Sequence, residues 1–264
     1  IMDRVTRRPK VAIMVTFAVA VGFAAVIPTV QVNDKFVEFL STDVPYRIDS
    51  DFASAHMPGI YDVAFSIGSG EEGGIANPEY LAKLGEFADW LERQPEIVHV
   101  MDFSDVMKRL NRAMHGDDPA HYKVPEDSQL AAQYLLLYEM SLPYGMDLNN
   151  QINVPKSATL VHATMDNINS TQMKDIKWRA EAWMRDNLPP EMHALGTGVT
   201  IIFAFLTQRN LMSMTFGTIL AIFLISACLM AAFRSVKLGL LSLIPNFLPP
   251  IVAFGIWVAV VGEI

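Results

Sequence analysis

The sequence predicts a membrane protein of mixed class, helical spans carrying an α+β domain, and three observations predict it. Three long runs contain no charged residue: 11–33, 210–233 and 238–262. The acidic charge is gathered between the first run and the second. Within that acidic stretch a β-α-β pattern occurs twice.

The charge-free runs decide the class. An α-helix rises about 1.5 Å per residue, so roughly 20 apolar residues cross a hydrocarbon core of about 30 Å. Each run is long enough, and a buried core helix is seldom this long without a charged face. Three transmembrane helices are expected. The first run could be mistaken for a signal peptide, because Arg4, Arg7, Arg8 and Lys10 precede it. A signal core runs about 7 to 15 residues and ends at a small-x-small cleavage site. Here the run exits through Ile27-Pro28-Thr29-Val30 without such a site, so it reads as a retained helix.

Orientation follows from basic residues near the spans. The four basic residues before the first span, and Arg234 with Lys237 in a four-residue turn between the second and third, belong on the cytoplasmic side. Residues 34–209 carry 14 Lys and Arg against 26 Asp and Glu, a net of −12, and belong outside. The chain therefore divides into a first span with its basic flank at 1–33, an outer domain at 34–209 and a helical hairpin at 210–264. So acidic a domain argues against nucleic acid and against a polybasic grip on anionic lipid. Cys228, the only cysteine, lies inside the second span, leaving the outer domain no disulfide and no thiol metal site. Ile1 at one end and Gly262-Glu263-Ile264 directly after a span at the other read as a segment of a longer polypeptide.

In the outer domain, residues 61–67 have the β-branched and aromatic content of a strand. A glycine-rich turn with Glu71 and Glu72 follows. Over 78–94, Tyr80, Leu81, Leu84, Phe87, Ala88 and Leu91 recur at three- and four-residue spacing, an amphipathic helix with Pro78 in its first turn. Residues 97–103 form a second strand. Later, 157–165 alternate like a strand, Ser170 caps a helix running to about Asn187, Pro189-Pro190 ends it, and 193–196 give a short last strand. Two such units make a split, ferredoxin-like arrangement with two helices on one face of a four-stranded sheet. A helical insertion occupies about 104–156, with helices at 104–114 and 127–140.

Few residues carry chemistry. His115, Asp117, Asp118 and His121 are metal-ligand types, but no regular spacing fixes them, and a solvated turn is the better reading. Glu71 and Glu72 read as a flexible turn rather than a catalytic pair. No Ser-His-Asp signature, phosphate-cradling glycine loop or HExxH motif occurs. No enzyme activity and no cofactor are expected. The apolar stretch 134–140, followed by Tyr144 and Met146, is the sharper candidate, because flexible thioethers and amphipathic rings suit a pocket for greasy ligands. Tyr134, Tyr138, Met140 and Met146 are its proposed contacts, weighed against an ordinary buried helix. Residues 200–209 are apolar with a late polar end and should lie at the membrane interface or extend the second span outward. Phe203 and Phe205 there are candidate path residues. They diverge by about 200° on a helix, so only one can line a path. Pro245-Asn246 and Pro249-Pro250 break backbone bonds within the third span, which should pack inside a bundle. No Asp, Glu, Lys, Arg or His lies in the three runs, so this segment cannot relay protons alone.

One span, an outer domain of β-α-β units and two spans joined by a short basic turn resemble half of a resistance-nodulation-division (RND) transporter. The chain is most similar to the hydrophobe-exporting branch, which includes MMPL-type lipid transporters and hopanoid or sterol carriers. The match is carried by Val32-Asn33-Asp34-Lys35-Phe36, by residues 141–153 (SLPYGMDLNNQIN), and by Phe233-Arg234-Ser235-Val236-Lys237 leading into Ile244-Pro245-Asn246-Phe247-Leu248-Pro249. The resemblance implies two repeats and twelve spans in all, with this chain holding the first three spans of one repeat. It implies a porter-type domain in the periplasm of a bacterial inner-membrane efflux protein. Carboxylates in a fourth span, absent here, would relay the protons. The implied partners are a hydrophobic small molecule or lipid, the membrane lipids, the remainder of the same transporter and a further copy in a homo-oligomer. A membrane-anchored periplasmic sensor or assembly module that binds a protein partner is the rival reading.

Overall fold

The structure, a computed structural model, describes residues 9–26, 35–57, 59–143 and 145–261. The basic flank at 4–8, the span exit at 27–30, the motif residues 32–34 and Tyr144 lie outside the described residues. The chain forms two compact units, Lys35–Leu206 on one side and Ile1–Asp34 with Thr207–Ile264 on the other.

Among the described residues the α-helices and strands are α1 (Pro9–Val26), α2 (Pro45–His56), β1 (Tyr61–Gly68), α3 (Pro78–Glu92), β2 (Ile97–Met101), α4 (Phe103–Met114), α5 (Ser128–Ser141), β3 (Ala158–Met165), α6 (Ser170–Asn187), β4 (Gly196–Thr197), α7 (Val199–Phe233) and α8 (Val236–Val261). The strands form one antiparallel sheet in the order β2-β3-β1-β4.

Alternation on β1 and β3 places the core. Val63 pairs with Ala163 and Phe65 with Val161, and all four side chains are fully buried. The intervening Asp62, Ala64, His162 and Thr164 face the opposite side and stay partly exposed, as a period of two requires. On the buried face, α3 contributes Leu81, Leu84, Phe87 and Leu91, and α6 contributes Met173, Ile176, Ala180 and Met184. Phe87 meets Phe65 edge-on at 5.3 Å and Trp183 at 5.6 Å, so both helices share one side of the sheet. Tyr80 hydrogen-bonds Ile67 O at 2.9 Å and Thr159 Oγ1 at 2.6 Å, and burial pushes its phenol up to about 12.

Several boundaries differ from the sequence expectation. Asn169, not Ser170, caps α6: its side chain accepts from Gln172 N while Gln172 Oε1 accepts from Asn169 N, a closed capping box. The second strand stops at Met101 because Asp102 turns the chain to cap α4. The last strand is Gly196–Thr197 rather than 193–196, since Pro190–Met192 winds as a 3-10 turn and His193 is tied back to Leu188 O. Helix α2 was not anticipated. It buries no residue, so no apolar stripe marks it in the sequence.

Helices α7 and α8 are long and apolar enough to cross a membrane by length and composition. At 18 residues α1 is also apolar but rises only about 27 Å. The turn between α7 and α8 is tighter than the four residues expected: only Arg234 and Ser235 separate them, with Arg234 at φ 48°. The three prolines of α8, Pro245, Pro249 and Pro250, sit inside a continuous helix. Helix α7 begins at Val199, eleven residues before the charge-free run at Asn210. Gly198 makes that start possible. Its φ of +136° is open to glycine, and a Cβ there would press on the Asp62 side chain. Asp62 holds the first turn, since its Oδ1 accepts from Thr200 Oγ1 at 3.1 Å and its Oδ2 lies 3.3 Å from His162 Nε2.

Candidate functional site

The helical insertion helps to form a groove in the domain unit. Asp102 starts it: its Oδ1 accepts from Ser104 N at 2.7 Å and Asp105 N at 3.2 Å, fixing the first turn of α4 against the end of β2. Burial raises the Asp102 carboxyl above its ordinary range, and the hydrogen bonds from Ser104 and Asp105 partly oppose this. From that cap, α4 presents Val106, Leu110 and Ala113 on one side and Asp105, Arg109 and Arg112 beside them. With His99, Val100 and Met101 of β2, Asp117, and Tyr138 of α5, they enclose about 550 Å³.

The rim is internally paired. Arg109 Nε meets Asp105 Oδ2 at 2.7 Å, Tyr122 donates to Asp105 Oδ1, and Arg112 Nε lies 3.5 Å from Asp117 Oδ1. The Arg112 guanidinium also lies 5.8 Å from the centre of the Tyr122 ring. Asn111, buried at 3 %, pins the following loop by donating to His121 O and Lys123 O. The result is an apolar floor beside a rim of paired charges. Such a shape suits an amphiphile, whose chain gains by leaving water while its polar end exchanges hydrogen bonds with the rim.

The sequence-predicted residues scatter. Tyr134 belongs to the core at 8 % exposure. Tyr138, partly buried, lines the groove. Met140 and Met146 are exposed at 76 % and 64 %, and neither lines it. The stretch 134–140 is thus half core and half surface, with Leu136 and Leu137 also exposed. Phe203 and Phe205 lie on the first turns of α7. Phe205 meets the Trp178 ring at 6.2 Å and the Lys177 ammonium at 5.8 Å. The groove residues on β2 and α4 were missed. The one signal that could have marked them is the charged flank Asp105, Arg109, Arg112 beside Val106 and Leu110 on a single helix.

His115 and His121 stack at 3.9 Å, with His115 Nδ1 against Asn111 O and His121 Nδ1 against Asp118 Oδ2. No group of three metal-ligating side chains occurs among the described residues. Glu71 and Glu72 sit in a turn flanked by Gly70 and Gly73, both at positive φ.

In the other unit, Ile13, Thr16, Phe17 and Ala20 of α1 face Leu243, Ile244, Phe247, Leu248 and Ile251 of α8 across an apolar groove of about 610 Å³. It offers dispersion contacts and almost no hydrogen-bonding group.

No family model matches the sequence, and no curated protein matches it either.

Proposed function

We propose that this chain is part of a proton-driven transporter of the RND type that moves hydrophobic or lipid-like molecules across or out of a bacterial inner membrane. In this reading α1, α7 and α8 are three spans. The α+β unit is a ferredoxin-like, porter-type domain in the periplasm, and the turn at Arg234–Ser235 is cytoplasmic. The order β2-β3-β1-β4 with α3 and α6 on one face accords with that fold, and the acidic domain and basic turn accord with that orientation. Proton relay is assigned to the remainder of the transporter, because the charge-free runs here hold no Asp, Glu, Lys, Arg or His.

The observation that carries the substrate class is the α4 groove, an apolar floor under paired charges on a domain joined to long apolar helices. An apolar chain gains by leaving water for such a floor. The test is photo-crosslinking of the chain in phospholipid vesicles with a benzophenone-bearing acyl probe, followed by peptide mapping. Label is expected within residues 99–117 and at Tyr138, and is expected to fall when Val106→Asp puts a charge on the floor while circular dichroism stays unchanged. Label confined to other parts of the domain, or unmoved by Val106→Asp, contradicts the assignment. In cells carrying the whole transporter, a protonophore is expected to stop export of a hydrophobic dye.

A further inference from the structure

The first turns of α7 are apolar on opposite faces, and only one face is covered. Ile201 and Ala204, at 3 % and 1 % exposure, pack into the domain core. At 100° per residue, Val199, Ile202 and Leu206 fall on the far side, at spacings of three, four and seven. Their exposures are 66 %, 65 % and 48 %. A helix apolar all round belongs in an apolar medium, and here half of it has none.

Two observations identify that medium. The first is position along the helix. Residues 211–233 rise about 34 Å, which already fills the hydrocarbon core, so Leu206 stands about 8 Å beyond it and Val199 about 18 Å. On α8, Trp257 near the helix end is the amphipathic residue type that favours such a boundary. The second is composition. Phe205, on the flank of the stripe, lies against Trp178, itself 50 % exposed, and against Lys177, with Arg209 one turn further along α7. Aromatic rings beside cationic side chains suit the headgroup layer, where one end of the group is wet and the other is not.

We propose that this stripe, with Phe205 and Trp178 beside it, is a membrane-interface anchor that seats the acidic domain in the outer phospholipid headgroup layer. Leu206 reaches the acyl boundary and Val199 the outer edge of the headgroups. The anchor offsets the poor attraction of a domain of net charge −12 for an anionic surface, because it binds by apolar contact rather than by charge. The inference rests on α7 being a span.

The test places spin labels on the full chain in phosphatidylcholine vesicles. In a Cys228→Ser background, labels are attached to Leu206→Cys, Ile202→Cys and Val199→Cys, all exposed sites. Phe216→Cys on α7 and Val154→Cys, 90 % exposed in the domain, serve as references. The ratio of oxygen to nickel-chelate accessibility is expected to be severalfold above that of Val154→Cys at Leu206→Cys and to decline through Ile202→Cys to Val199→Cys. Brominated lipid is expected to quench wild-type fluorescence more than that of Trp178→Phe. If all three labels match Val154→Cys while Phe216→Cys is lipid-like, the anchor is wrong and the span stands. Exclusion of both reagents at all three sites shows a protein partner on the stripe and also overturns the anchor. A water-like Phe216→Cys removes the span and the anchor together.

Discussion

The domain buries a continuous apolar core, whereas the hairpin leaves most of its apolar side chains exposed. In the domain, Val63, Phe65, Ile67, Leu84 and Phe87 have no exposure, while Lys83 and Glu86 face outward. In the hairpin, Met214, Phe216, Ile244 and Val260 are exposed at 71 %, 68 %, 67 % and 77 %, and the residues buried with Ile222 and Val258 include Ser226 at 2 %, hydrogen-bonded from Ser242. Water drives the first arrangement, since about 25 cal/mol is gained per Å² of apolar surface removed from it. Lipid offers no such gain, so helices there associate through close approach of small residues and through polar pairs. Gly255 of α8 is an example, because a Cβ there would collide with the Phe23 ring of α1.

That contrast can be broken by substitution. Phe65→Ala should have the largest effect, about 3–5 kcal/mol of domain stability, because it leaves a cavity between the sheet and Phe87. Denaturant unfolding of the detergent-solubilised chain measures it. Gly255→Leu comes next. Forcing a branched side chain against Phe23 should cost about 1–3 kcal/mol of α1–α8 packing, visible as a lowered thermal midpoint, with Gly255→Ala costing less.

A smaller effect depends on pH. Because burial raises the Asp102 carboxyl above its ordinary 3.8, the folded chain holds that proton to a higher pH than the unfolded chain does. Stability from this site therefore falls as pH climbs from 3.8 to the raised value and is level above it. Asp102→Asn keeps a capping oxygen and removes the titration, so its stability relative to wild type should increase across that window. A difference independent of pH would show that Asp102 ionises alike in both states. Phe216→Ala should have the smallest effect, within about 0.5 kcal/mol, as for a site with no protein contact to lose. A loss as large as that of Phe65→Ala would place Phe216 in a protein core and dissolve the contrast.

Legibility in the sequence follows the same division. Period-two and period-3.6 patterns marked β1, α3, β3 and α6 because each buries one face against water. Helix α2 went unseen because it buries nothing, while the start of α7 was legible only as one alternative, an outward extension of the second span, because a helix apolar on both faces has no period to read. At the groove, composition pointed to Tyr138 but equally to Tyr134, which the fold places in the core. The floor and rim come from β2, α4 and α5 together, and no local pattern announces an alignment made by tertiary packing.

In the proposed topology α7 and α8 cross a bilayer, with the acidic domain and the Arg234–Ser235 turn on opposite sides. Impermeant thiol labelling tests it most directly, on Glu126→Cys in the domain and Lys237→Cys beside the turn, each in a Cys228→Ser background. In intact cells, Glu126→Cys should label at once and Lys237→Cys only after the membrane is opened. Immediate labelling of Lys237→Cys with protection of Glu126→Cys would invert the topology, and equal labelling of both would remove the membrane from the account.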